Sequence, residues 1–255
     1  MSQLINSKPV FIGTAGWAQR KEQAHLFVTE GSHLERYASL YNCVEINSAF
    51  YRDHMGKSYK RWADSVPNGF LFSVKLSKVY THEHKLKLVD DHLQKVLGDI
   101  AELGPKLGVL LVQLPPSLKF DMATCEKFFS KVISWFPAGV VVEARNTTWS
   151  NENTLRALKD LNVSLVHADP DLLSLPNRYR QNINYLRLHG TPQIYKSSYT
   201  STFLNQTYSN LLDLQSKKTL QNWVVFDNTT YGYATENALE LQTICRQFKS
   251  PELTL

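Results

Sequence analysis

Pairs of ionisable or amide side chains two residues apart recur along this chain: Glu45 and Asn47, Ser73 and Lys75, Glu143 and Arg145, His167 and Asp169, Arg187 and His189. Carboxylates, imidazoles and amines gathered in one place can exchange protons with a ligand once burial or neighbouring charge shifts their pKa. Glu143, Lys75, Asp169 and His189 are the candidates for that catalytic role. Oxygen and imidazole donors from Glu45, Glu143, Asp169 and His189, with His167 or Asp227, also suit a divalent metal cofactor. The interleaved Lys75, Arg145 and Arg187 offer another account, in which cations neutralise the same carboxylates as a charge network without an ion. No HExxH motif marks a metal-binding helix.

The elements that must position these groups are short β-rich runs, each followed by a stretch suited to a helix. The runs are VFIGTAG at 10–16, CVEINS at 43–48, FLFSVKL at 70–76, VLLVQLP at 109–115, VVVEARN at 140–146, SLVHAD at 164–169, NYLRLHG at 184–190 and WVVFDN at 223–228. Helical periodicity falls on Asp90 to Leu103, Met122 to Trp135, Asn151 to Leu161 and Ala234 to Phe248, which is the βα alternation of a parallel sheet. Eight such units in 255 residues predict an α/β fold, a single (β/α)₈ TIM barrel over 1–255, with room for an irregular seventh unit. An open doubly wound sheet would show a glycine-rich phosphate fingerprint after its first strand, and GTAGW at 13–17 lacks that spacing.

Residues two apart on a strand share a face. In a barrel the apolar face meets the helices, so the paired polar residues are expected to point inward at the carboxyl ends of the strands, joined by Gln113 and Asp227. Charges moved into such an interior lose hydration unless they are paired or reached by water. A hydrated, polar ligand pocket at the mouth meets that requirement.

Composition narrows the class. Hydrophobic residues make up 43% and charged residues 20%, enough apolar surface for a folded globule. Cys43, Cys125 and Cys245 lie far apart without a CxxC pair, which suggests reduced core thiols. The first residues, MSQLINSKPVFIG, lack a basic segment followed by a long apolar stretch, and no apolar run is long enough to span a bilayer. The expectation is a cytoplasmic protein with no membrane partner. A formal charge of +5 favours anionic ligands.

The same strand ends carry a family likeness. GTAGW (13–17), VEINSAFY (44–51), FSVKLSKVYTH (72–82), LVQLPPSLKFD (111–121), VEARNTTW (142–149), LVHAD (165–169), YLRLHG (185–190) and VVFDNTTYGYATENALEL (224–241) resemble successive blocks of the YecE-like family, a domain of unknown function. The resemblance implies a barrel fold and a pocket. It maps a site onto Glu45, Asn47, Tyr51, Lys75, His82, Gln113, Glu143, Arg145, Asp169, Arg187, His189 and Asn228. Ala15, Ala49, Asn146, Asp227 and Tyr233 stand where the family usually has Ser, Thr, His, Asn and His.

Three loops add basic and aromatic residues to the mouth: SKVYTHEHKLK at 77–87, RYR at 178–180 and IYKSSY at 194–199. Lys and Arg meeting phosphates, with Tyr stacking on bases, would suit a phosphate-bearing small molecule or a nucleic acid. Three functional readings therefore compete. The first is a hydrolase of a phosphorylated or nucleic-acid substrate, working through Glu143 and Asp169. The second is a non-catalytic binder of nucleic acid or an anionic metabolite, and the third an isomerase or lyase acting on a sugar-like ligand.

Overall fold

The structure, a computed structural model, describes residues 10–171, 173, 181–215 and 221–247. Eight parallel strands form one nearly closed barrel with helices packed around it. The strands are β1 (Val10–Thr14), β2 (Cys43–Ile46), β3 (Leu71–Lys75), β4 (Leu107–Gln113), β5 (Gly139–Glu143), β6 (Val163–Asp169), β7 (Ile183–Leu188) and β8 (Gln221–Phe226). They run in the order β1-β8-β7-β6-β5-β4-β3-β2. All eight predicted runs became strands, each within a few residues of its expected limits. No helix is long and apolar enough to cross a membrane among the described residues.

The helices are α1 (His33–Ala38), α2 (Gly56–Asp64), α3 (Asp91–Ala101), α4 (Met122–Trp135), α5 (Glu152–Asp160), α6 (Ser201–Gln215) and α7 (Tyr233–Gln247). Their starts follow from local chemistry. Asp90, Asp121 and Asn151 accept the N–H of Leu93, Thr124 and Thr154 at 2.9 Å, which satisfies donors that have no partner inside the first helical turn. Ser32 and Glu35 form a reciprocal capping box at α1. The seventh unit is irregular as expected, because residues 189–200 intervene between β7 and α6.

Two apolar layers result. The outer one joins Val44, Ile46, Phe72, Val74, Leu110, Val112, Val142, Leu165 and Val224 to the helices. The inner one fills the lower barrel with Phe11, Cys43, Val109, Leu111, Val141, Val166, Tyr185, Trp223 and Val225. Trp223 stacks on Phe11 at 4.8 Å and on Tyr185 at 5.8 Å, forming an aromatic floor across the barrel. Gly108 makes room for it, since a Cβ there would strike the indole.

Between β1 and β2 the ladder reduces to a bridge at Ala15 and Glu45, with Gly16 N donating to Glu45 O at 2.8 Å. Side chains supply the missing rungs. Ile12 N donates to Asn42 Oδ1 and Asn42 Nδ2 to Val10 O, both at 2.8 Å. Tyr37 Oη accepts from Thr14 N at 2.8 Å and donates to Cys43 O at 3.0 Å. The close approach depends on Gly13, where a Cβ would run into the Cys43 carbonyl.

Candidate functional site

Above the aromatic floor the interior turns ionic. Glu45, Lys75, Gln113, Glu143, Arg187 and His189 follow on their strands from inward residues at the same parity, so one rule of strand geometry delivers them all to the mouth. Arg187, 1% exposed in its side chain, is the hub. Its Nε and Nη2 grip Glu45 at 2.9 and 2.6 Å, Nη1 meets Glu143 Oε2 at 2.6 Å, and Nη2 also reaches Asp227 Oδ2 at 3.0 Å. Tyr185 Oη donates to Glu45 Oε2 at 2.9 Å and lies 2.8 Å from Ser73 Oγ, whose hydroxyl can donate back. Arg145 adds a contact to Glu143 Oε1 at 3.0 Å.

His189 is bracketed by carboxylates, with Nδ1 3.0 Å from Asp227 Oδ2 and Nε2 3.2 Å from Glu143 Oε1. Burial works against the imidazolium, but the hydrogen bonds to Asp227 and Glu143 outweigh it and raise the His189 pKa. Burial likewise pushes the Glu143 carboxyl up, and Arg187, His189 and Arg145 more than reverse that, holding it well below the usual carboxylate range. Asp227 is lowered against burial in the same way by Arg187 and His189.

These directions fix a stability profile. A raised His189 stabilises the fold below its ordinary value of 6.5, and that contribution is lost as pH rises through the folded value. Lowered Glu143 and Asp227 stabilise above their ordinary values of 4.5 and 3.8, and lose that contribution as pH falls through their folded values. The melting temperature is therefore expected to peak on the acid side of neutrality. In His189→Gln the decline from pH 6 to pH 8 should flatten, which melting curves across that range would check.

The remaining mouth residues carry fewer bonds. Lys75 Nζ lies 4.1 Å over the Phe50 ring and has no ion pair or hydrogen bond among the described residues. Burial, then the charge of Arg187, lowers its pKa against the pull of Glu45, Glu143 and Asp227. His82 contacts Thr81 Oγ1 at 2.9 Å, and burial followed by the charges of Lys75 and Arg145 lowers its pKa. The Gln113 side-chain amide is without a hydrogen bond among the described residues, and Asn47 Oδ1 is buried without a partner. A small cleft of about 30 Å³ opens on the other side of Glu143, lined by Glu143, Arg145, Val166, Ala168, His189 and Ile194 among others, but not by Lys75, His82, Gln113 or Asn47.

Strand six departs from the expected parity. Ser164 pairs with Val141, and Ala168 with Arg187, so Ser164, Val166 and Ala168 face inward. His167 and Asp169 face α6 instead, beside Gln206, Thr207 and Asn210. Ala168 sits beside Arg187 in the ladder and lines the cleft next to Glu143 and His189. Asp169 is bonded to Tyr199 Oη at 2.7 Å and to Thr191. It is therefore apart from Glu143 and His189.

Two other expected residues stand outside the cluster. Tyr51 is 73% exposed on the turn after β2. Asn228 Nδ2 holds Ser197 O and Asn237 Oδ1 at 2.9 Å, anchoring the loop after β7. Within the 77–87 loop Tyr80, Thr81 and Leu86 are buried, so part of the expected basic rim is core; RYR at 178–180 lies outside the described residues. Among the described residues no three His, Cys, Asp or Glu side chains are grouped as ligands for an ion. Tyr185 and Phe50 had no place in the expected site. Tyr185 shares parity with Arg187 and His189, a signal that could have found it, whereas Phe50 lies on a 3₁₀ turn where strand parity gives no guide.

Residues 11–254 match the family described as protein of unknown function DUF72. The chain belongs to that family. This bears out the YecE-like resemblance. YecE of Escherichia coli is 30% identical over 106 residues, 42% of this chain and 38% of that protein's length. YunF of Bacillus subtilis is 23% identical across 91% of this chain and 93% of its own. Among solved structures, a DUF72 protein of Enterococcus faecalis superposes with a TM-score of 0.76 at 20% identity, covering 93% of this chain and 96% of its own. A second, from Thermotoga maritima, gives 0.74 at 21% identity, covering 93% and 99%. Both share the fold, which the DUF72 barrel described above repeats.

Proposed function

We propose that the barrel mouth binds a small molecule through an anionic group, a phosphate or carboxylate, held by Lys75 and Arg145. The observation that carries this reading is the state of Lys75. The carboxylates around it are already engaged by Arg187, Arg145 and His189, while its own Nζ has no counter-ion among the described residues. A half-buried cation in that position is relieved by an incoming anion. Arg145, which is bonded to Glu143 and Tyr195, lines the cleft on the other side of Glu143.

Hydrolysis by Glu143 with Asp169 would need both carboxylates at one cavity, and Asp169 faces α6. That pairing has no geometric support. A nucleic acid is the second reading, favoured by the exposed rings of Tyr51, Tyr195 and Tyr231 on loops after β2, β7 and β8. Single-stranded DNA titrated at two salt concentrations separates it, because each neutralised phosphate adds about 0.7 to the log–log salt slope.

Thermal melting with inorganic phosphate, nucleotides, sugar phosphates and keto acids tests the anion reading. A ligand at one hundred times its Kd should add about 2.7 kcal/mol of stability to the native protein. Lys75→Met should keep its ligand-free stability within about 1 kcal/mol and lose the ligand-induced shift. A Lys75→Met protein with an undiminished shift would sink the assignment.

A further inference from the structure

Lys75 is well placed for more than charge recognition. It ends β3 inside the barrel, with its amine against the Phe50 ring rather than in an ion pair. Gln113, on the next strand and at the same parity, has an amide without a hydrogen bond among the described residues, and the buried Asn47 Oδ1 also lacks a partner. His82 lies close enough for the charge of Lys75 to act on its imidazole, and its Nε2 has no partner among the described residues. The amine and the imidazole thus share a neighbour, with Lys75 Nζ 4.1 Å and the His82 ring 5.1 Å from the centroid of Phe50. Burial and a neighbouring cation favour the neutral, nucleophilic form of such an amine.

We propose that Lys75 forms an imine with the carbonyl carbon of a small anionic aldehyde or ketone, such as a keto acid or an aldehyde phosphate. This rests on the anion-binding reading and names the reactive group of the ligand. The Nζ lone pair attacks the carbonyl carbon, and the C=O π pair moves to oxygen, which takes up a proton. The nitrogen then gives up a proton to His82 Nε2 or to water, the same group passes a proton to the hydroxyl, which leaves as water, and the nitrogen lone pair closes the C=N bond as a protonated imine. One water is released for each imine formed, and nothing is oxidised or reduced. Gln113 can donate to the oxygen as it gains charge, and Arg145 and the ionic rim hold the anionic group.

Reductive trapping tests the assignment. The intact protein is treated briefly with glyoxylate and cyanoborohydride at neutral pH, and lysine modification is mapped by peptide mass spectrometry. Lys75 is expected to be labelled faster than exposed Lys21 and Lys57, because a lowered pKa leaves more of its amine unprotonated. Inorganic phosphate should slow labelling at Lys75 alone. Lys75→Arg should retain phosphate-induced stabilisation while the label at position 75 is lost. Labelling of Lys75 no faster than Lys21, with phosphate stabilisation intact, overturns the imine and leaves the anion site standing. Fast labelling of Lys75 that phosphate neither slows nor accompanies with a thermal shift supports the reactive amine and overturns the anion site.

Discussion

Arg187→Met should be the most damaging single substitution in the barrel, costing at least about 3 to 5 kcal/mol at neutral pH. The guanidinium supplies four hydrogen bonds to Glu45, Glu143 and Asp227, all within the interior. Methionine fills much of the volume but leaves these carboxylates without their shared cation. Between pH 5 and pH 7.5 stability should also fall more steeply than in the parent, whose decline there comes from His189 alone. In the parent, Arg187 helps to hold Glu143 and Asp227 ionised, so stability is lost as pH falls through their lowered folded values. In the variant, burial is no longer offset by Arg187, protonated carboxyls become the favoured folded form, and stability should fall as pH rises. Denaturant melts at pH 5 and pH 7.5 decide the matter, since a parent-like slope between them would show that Arg187 does not govern the network. Glu143→Gln should lose less, because Arg187 keeps its bidentate grip on Glu45.

Gly13→Ala should cost about 3 kcal/mol or more, through two coupled effects. The added methyl meets a carbonyl oxygen of β2 rather than a yielding side chain, so the two strands must separate. Separation then releases the Tyr37 hydroxyl from Thr14 N and Cys43 O, leaving buried polar groups unpaired at about 1 to 3 kcal/mol each. Tyr37→Phe removes the hydroxyl without moving the strands and should lose only the second part. Unfolding free energies for both variants, measured side by side, separate backbone collision from lost hydrogen bonds. Equal losses would show that the methyl itself is accommodated.

The sequence was most legible where a single physical rule acted alone. Helix starts followed their caps at Asp90, Asp121 and Asn151, and the inward direction of Glu45, Lys75, Glu143 and Arg187 followed strand parity. In strand six alternation leaves open which of the two sets faces inward. The register with β5 and β7 settles it by placing Ser164, Val166 and Ala168 inside, and pairing register is not visible in the local pattern. Partner choice was equally hidden. Nothing in the residue types of Glu143 and Lys75 distinguishes a carboxylate with three cationic partners from an amine resting on a phenyl ring. The side-chain rungs from Asn42 and Tyr37 had no sequence signal either, since both residues lie outside the strands they join.

The aromatic floor of Phe11, Trp223 and Tyr185 has an electrical consequence. It is a plug of low dielectric constant under a layer of charge, so field lines from Lys75, Arg145 and His189 are concentrated toward the open end. When His189 is protonated, four cations face Glu45, Glu143 and Asp227 there, and the outward field is positive. If the proposed anion site is correct, the plug makes the mouth its one electrostatic approach, and anions should associate faster at low ionic strength than at high.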